Sequence, residues 1–299
     1  MLQPFYEKNR GILVNINGEL VHRDQAGISP FDSAVQNGDA VWEGLRLYNG
    51  RIFKLIEHLD RLRDSAKALA YTDFPSRETL IAELRKTLDA NQMTDNVHIR
   101  LTVSRGVKYT SGMDPRVNTG GYTLIILAEH KPPVYEKSGL RLITSSVRRI
   151  PPDCLDQNIH SCNMLNSILA KIQANVAGAD DAIMLDVDGF VAETNATHLF
   201  FVKGGVVRTS RTDSCPEGIT RATVLELCQD NDIPYEVTNI SPADVYRADE
   251  IFCTGTMGEL AAVLEVDGRA IGDDAIGPMT ARLSRLYSEL TAQKGYPIG

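Results

Sequence analysis

The chain has 299 residues, 43% of them hydrophobic and 23% charged, enough for two modest domains or one large one with true apolar cores. Its formal charge of −8 argues against nucleic acid or an anionic membrane as partner. Five cysteines without a C-x-x-C pair indicate neither a disulfide framework nor a metal site, and no signal-like or membrane-length apolar run is present, so a soluble, cytoplasmic protein is expected.

In chain order, Ile12–Ile16 and Leu20–Arg23 flank Asn17-Gly18, a strong hairpin signal. Next comes the block Gly38-Asp39-Ala40-Val41-Trp42-Glu43-Gly44-Leu45-Arg46, which alone reads as a strand with a buried tryptophan. Leu59, Leu62, Ala66 and Leu69 share one face of a helix over Glu57–Ala70. A second helix should run from a Ser76 cap to Asn91, with Leu80, Leu84 and Leu88 inward. Val97–Ser104 alternates strictly, with Val97, Ile99, Leu101 and Val103 on one face and His98, Arg100 and Thr102 on the other. Arg100 and the nearby Arg105 are candidates to meet a substrate carboxylate, because a guanidinium binds one at two points; an ordinary exposed strand face is as good a reading.

Tyr122–Ala128 reads as a buried strand, and the proline-bearing, charged stretch 131–139 as a connector. The expected division is 1–130, a smaller N-terminal α/β domain, then 131–139, then 140–299, a larger domain. The second half begins with a strand over Leu140–Val147 and holds Asn158-Ile159-His160-Ser161-Cys162-Asn163-Met164 ahead of a helix over Leu165–Val176. It continues to Asp188-Gly189 and a polar burst, Glu193-Thr194-Asn195-Ala196-Thr197, whose plain reading is a surface loop. Glu217-Gly218-Ile219-Thr220-Arg221 opens a helix, and a helix N-terminus suits an anion. Thr254-Gly255-Thr256-Met257-Gly258 is a small-residue turn that could add amides and hydroxyls to such a site. An amphipathic helix is expected near Gly277–Leu290.

These separated motifs, from about Gly18 to Leu290, resemble the class IV, fold-type IV pyridoxal-phosphate (PLP) aminotransferases. That group includes branched-chain and D-amino acid aminotransferases and aminodeoxychorismate lyases. The resemblance implies an α/β (α+β) fold of two domains, the second a pseudo-barrel, and a homodimer acting on a small carboxylate, with one cleft holding Arg61, His160, Glu193 and Thr256. It implies that Glu193 pairs with the pyridine nitrogen and that Arg61, Ile219, Thr220 and Thr256 hold the cofactor phosphate. Trp42, Arg46, Arg100, Arg105 and Met257 become substrate-binding candidates. One position departs from the pattern: His160 stands where the family's run carries its Schiff-base lysine.

Imidazole has no primary amine, but it can move a proton near neutrality, so His160 and Glu193 are the catalytic candidates. The expectation is an aminotransferase-like protein with impaired or altered amino transfer, holding PLP without a covalent bond if it holds PLP. The alternatives are a PLP-independent hydrolase or lyase with His160 as general base, and a non-catalytic ligand-binding relative. Two further departures are Asn37 and Glu217, the latter beside the expected phosphate loop, where an inward carboxylate would oppose an anion.

Overall fold

A computed structural model describes residues 4–133, 139–273 and 275–298. Val134–Ser138, most of the expected connector, lie outside the described residues. The chain divides into two compact units, each built on its own sheet. One comprises residues 2–132, 159–163 and 291–299; the other comprises 133–158 and 164–290, with residue 1 assigned to it. The pentapeptide containing His160 therefore belongs with the N-terminal unit although its neighbours on both sides belong to the other.

The first unit opens with the hairpin β1 (Leu13–Ile16) and β2 (Glu19–His22). Asn17 and Gly18 at its turn both have positive φ, 53° and 86°, the conformation that makes Asn-Gly a hairpin signal. A short α1 (Ser33–Asn37), capped by the Asp32 side chain, leads into β3 (Ala40–Tyr48) and β4 (Arg51–Ile52). Then follow α2 (Leu55–Ala68), α3 (Arg77–Ala90), β5 (Val97–Ser104) and β6 (Thr123–His130). The strands form an antiparallel sheet in the order Tyr296–Pro297, β4, β3, β5, β6, β1, β2.

Alternation decides the layers. Val41, Leu45 and Leu47 of β3 and Val97, Ile99, Leu101 and Val103 of β5 are buried in one cluster with Leu59 and Leu62 of α2 and Leu80, Leu84 and Leu88 of α3. Each such leucine contributes about 1.5–3 kcal/mol on burial, so the two helices are fixed to one face of the sheet. Trp42, Gly44, Arg46, His98, Arg100 and Thr102 alternate onto the other face, with Arg46 opposite His98 and Gly44 opposite Arg100.

The second unit contains β7 (Leu140–Thr144), α4 (Pro152–Leu155), α5 (Leu165–Val176), β8 (Asp181–Leu185), β9 (Val191–Thr194), β10 (His198–Lys203) and β11 (Val206–Thr209). It continues with α6 (Ile219–Asp230), β12 (Tyr235–Val237), α7 (Pro242–Tyr246), β13 (Glu250–Gly255), β14 (Glu259–Val266) and β15 (Arg269–Ala270), and α8 (Pro278–Gln293) follows. Its curled sheet runs β12, β11, β10, β13, β14, β7, β8, β9, with β15 on β14. Leu142, Ile183, Val191, Leu199, Phe201, Ile251 and Val263 make its core, and Ala170 and Ala174 bring α5 down on Ala182 and Met184. The α+β architecture, with one sheet in each unit and the second sheet curled, is the one expected from sequence.

The polar burst is not a surface loop. Thr194, Asn195 and Thr197 are all buried, because they close the corner between β9 and β10. Asn195 Oδ1 accepts from the Ala182 amide at 2.7 Å and its Nδ2 donates to Asp181 at 3.0 Å, while Thr194 Oγ1 accepts from the Thr197 amide at 2.8 Å. Side chains satisfy backbone groups that the strand ladder leaves over, so burial there costs little.

Candidate functional site

In the first unit the site is organised around a buried carboxylate that sequence reasoning did not single out. Glu43 lies on the helix side of β3 with no exposed surface. Arg61, one helix turn from His58 on α2, donates from Nε to Glu43 Oε1 at 2.8 Å and from its terminal nitrogen to Oε2 at 2.7 Å. His58 Nδ1 donates to the same Oε2 at 2.6 Å, and His160 Nδ1 lies 3.3 Å from Oε1. Burial alone would push the Glu43 carboxyl up; the charges of Arg61, His160 and His58 overcome it and hold the group well below its ordinary value. Burial keeps His58 below its ordinary value, opposed by Glu43. The signal for Glu43 was present: an acid on the apolar face of a strand requires a buried cation.

His160 is held just as firmly. Its Nδ1 lies 2.6 Å from the Trp42 carbonyl oxygen, its amide donates to Ser65 Oγ at 3.0 Å, and its carbonyl accepts from the Trp42 amide at 3.0 Å. The imidazole and indole rings stack with centroids 4.4 Å apart. Arg100 covers Trp42 at 3.7 Å, and its terminal nitrogen lies 3.7 Å from Cys162 Sγ. Trp42, Arg100 and His160 are thus brought together.

The other arginines are placed differently. Arg105 donates from Nε and a terminal nitrogen to Asp39, and to the carbonyls of Leu69 and Ala70. It also lies over the Tyr71 ring, at 4.4 Å. These bonds hold the end of α2 to the sheet, a structural use that differs from the expected carboxylate contact. Arg46 is only 1% exposed and lies over Tyr48 at 5.2 Å, so a substrate would meet it only after its neighbours moved. Asn37 accepts from the buried Lys108 ammonium, which also donates to the Gly112 carbonyl at 2.6 Å.

In the second unit Glu193 sits on β9 opposite Met184, buried, and ion-paired with the buried Arg149. Arg149 is braced by Ser167 Oγ at 3.0 Å. His198 Nδ1 is 3.9 Å from the other Glu193 oxygen, and Cys215 Sγ is 4.0 Å from the same ring nitrogen. Their ligand atoms cluster within 4.8 Å of one another. A cation there would face the Arg149 guanidinium on the same carboxylate, which opposes a metal ion. Burial and the Glu193 charge push the Cys215 thiol far up.

Gly218 caps α6 with no side-chain partner, and the first intrahelical bond is from the Ala222 amide to the Gly218 carbonyl. The amides of Ile219 and Thr220 therefore lie before the helical ladder begins. A Cβ on residue 218 would lie 2.2 Å from the His198 ring, so glycine is required. Arg221, in the same first turn, is 8% exposed; one terminal nitrogen reaches the Ser210 carbonyl at 2.9 Å, and among the described residues its Nε has no partner. A buried guanidinium beside open amides fits an anion such as a phosphate ester. Thr256 and Met257 occupy the half-buried turn after β13. Glu217 is exposed, so solvent screens any repulsion from a bound anion.

The amino-transferase class IV family model matches residues 40–266. The chain belongs to the class IV aminotransferase family. A putative branched-chain-amino-acid aminotransferase of Methanocaldococcus jannaschii is 41% identical over 95% of this chain and 98% of its own length. The branched-chain-amino-acid aminotransferase-like protein 2 of Arabidopsis thaliana is 53% identical over 97% of this chain, but the chain spans only about half of that relative, 52%. Among solved structures, a branched-chain amino acid aminotransferase of T.th., complexed with N-(5'-phosphopyridoxyl)-L-glutamate, matches with TM-score 0.87 and 33% identity over 94% of each chain. For class IV aminotransferases the bound molecules are small amino or keto acids. Among the described residues no helix is long and apolar enough to cross a membrane.

Proposed function

We propose that this class IV aminotransferase-like protein binds PLP without a covalent bond and takes a small amino or keto acid, with amino transfer impaired or altered. His160, in this reading, occupies the position of the family's anchoring lysine, and an imidazole has no primary amine to condense with an aldehyde. Lys171 offers no replacement, since its ammonium is engaged by Asp181 at 3.0 Å and by the Asp180 carbonyl.

The observation that carries the reading is the combination, in one unit, of the buried Glu193 carboxylate with α6, whose first turn offers amides ahead of the helical ladder and an Arg221 Nε that has no partner among the described residues. Glu193 would pair with the ring nitrogen; Ile219, Thr220 and Thr256 would hold the phosphate, with Arg61 as the further residue the resemblance names. When bound, the cofactor supplies an electron sink for bonds at the substrate's Cα. Arg100, backed by Trp42, is the best-placed of the expected carboxylate partners in its unit, ahead of Arg46 and Arg105, and Met257 would line the substrate side. The printed names of the relatives point to branched-chain substrates.

A homodimer is supported by α5, where Leu165, Ile168, Leu169, Ile172 and Val176 form an exposed apolar stripe while Ala170 and Ala174 face the sheet. A reducing, cytoplasmic setting is supported by five free cysteines. The test is a PLP titration followed by absorbance and equilibrium dialysis. Saturable, fully dialysable binding that weakens in Glu193→Gln and Thr256→Val supports the reading. Absence of saturable binding in the wild type would overturn it.

A further inference from the structure

A residue that merely fills the space of another needs no particular protonation pattern, yet the ring of His160 has one imposed on it. The Trp42 carbonyl oxygen, 2.6 Å from Nδ1, only accepts, and so does the Glu43 carboxylate 3.3 Å away. Nδ1 must therefore carry the hydrogen, and in the neutral ring the lone pair falls to Nε2. Stacking on Trp42 and the backbone bonds to Ser65 and Trp42 fix the ring plane as well.

We infer that His160 is a proton-accepting base that acts through Nε2, and that Glu43 is the residue that positions it. The inference deepens the function proposed above, on which it rests only for the identity of the proton donor. On proton uptake an N–H bond forms at Nε2, the donor keeps its electron pair, and the new imidazolium charge lies against the Glu43 carboxylate. The charged and titratable groups around the ring are Glu43 on β3, Arg61 and His58 on α2, Arg100 on β5 across Trp42, and Cys162 on its own segment. Arg61 balances the Glu43 charge at rest and His58 donates a hydrogen bond to it, so the carboxylate is already ionised and oriented before any proton arrives. Glu43 touches the ring from the Nδ1 side and acts only through it, which makes it a positioning residue.

The test uses the full chain with 15N-labelled histidine and no added cofactor, so its outcome is independent of whether PLP binds. The His160 signals are assigned by their loss in His160→Gln. The expected result is a single Nδ1–H form at alkaline pH, with a downfield, slowly exchanging Nδ1 proton that moves upfield and exchanges faster in Glu43→Gln, while the Trp42 carbonyl keeps the hydrogen on Nδ1. Should Glu43→Gln not fold, Glu43→Asp keeps the charge but withdraws it by one methylene, and the Nδ1 proton should move upfield and exchange faster. A wild-type ring in the Nε2–H form overturns the inference outright. An Nδ1 proton unchanged in a folded Glu43 variant overturns the role of Glu43.

Discussion

Arg61 and Glu43 form a two-point pair, Nε to Oε1 at 2.8 Å and terminal nitrogen to Oε2 at 2.7 Å, with the acid wholly buried. Arg61 is the residue that the resemblance assigns to a phosphate, yet two of its donors serve the fold. Removing it strands a buried anion whose other partners are histidines. Arg61→Ala should therefore destabilise the unliganded protein by about 3–5 kcal/mol, read by urea unfolding. A loss confined to ligand affinity, with stability unchanged, would show that the pair is dispensable.

Glu43 also sets an acid limb. Its folded carboxyl binds a proton more weakly than the unfolded one, so its contribution is complete above the ordinary value and is lost as pH falls through the depressed one. His98 acts at higher pH. Burial, helped by the charges of Lys131, Arg46 and Arg100, lowers it to about 3. The unfolded state then binds the extra proton, so stability is full above about 6.5 and falls as pH drops toward the folded value. His98→Gln should flatten the decline between about pH 6.5 and about pH 5, by up to about 1.4 kcal/mol per pH unit. An unchanged slope would mean that His98 is protonated in the folded state.

Much of this was legible in the sequence because local periodicity and the packing agree. The strict alternation of Val97–Ser104 and the leucine spacing of α3 reappear as one buried cluster. What was not legible depends on groups distant in the chain. Nothing local to Glu43 reveals that His58 and Arg61 close on it from the next helix, or that His160 reaches it from the other half of the sequence. The polar run Glu193–Thr197 looked like a loop because its partners, Asp181 and Ala182, lie on another strand. Arg105 and Arg100 look alike in sequence and separate only because Asp39 is beside one of them.

The α5 stripe makes the assembly testable. Ile172→Asp places a charge on an exposed apolar face without touching Ala170 or Ala174, which pack against the sheet. Light scattering should show a dimer for the wild type and a shift toward monomer for this variant, with far-ultraviolet circular dichroism unchanged. A wild type that is monomeric at about 10 μM, where an interface of standard size would hold, would remove the proposed role of the stripe.

Position 160 offers a gain-of-function test. If His160 occupies the lysine's position, His160→Lys should bind PLP in a form that borohydride fixes to residue 160 and that absorbs at visible wavelengths. Amino transfer should rise with it, because Glu193 and the α6 amides are unaltered. Binding in this variant that stays fully dialysable would place the amine out of reach and refute the correspondence.

The most direct measurement of the central claim is made on the unaltered chain: PLP is added, borohydride is applied, and the intact protein and its peptides are weighed by mass spectrometry. Saturable binding that leaves the mass of the chain unchanged is the expected result. A reduced PLP adduct on any lysine, accompanied by efficient amino transfer, would contradict it.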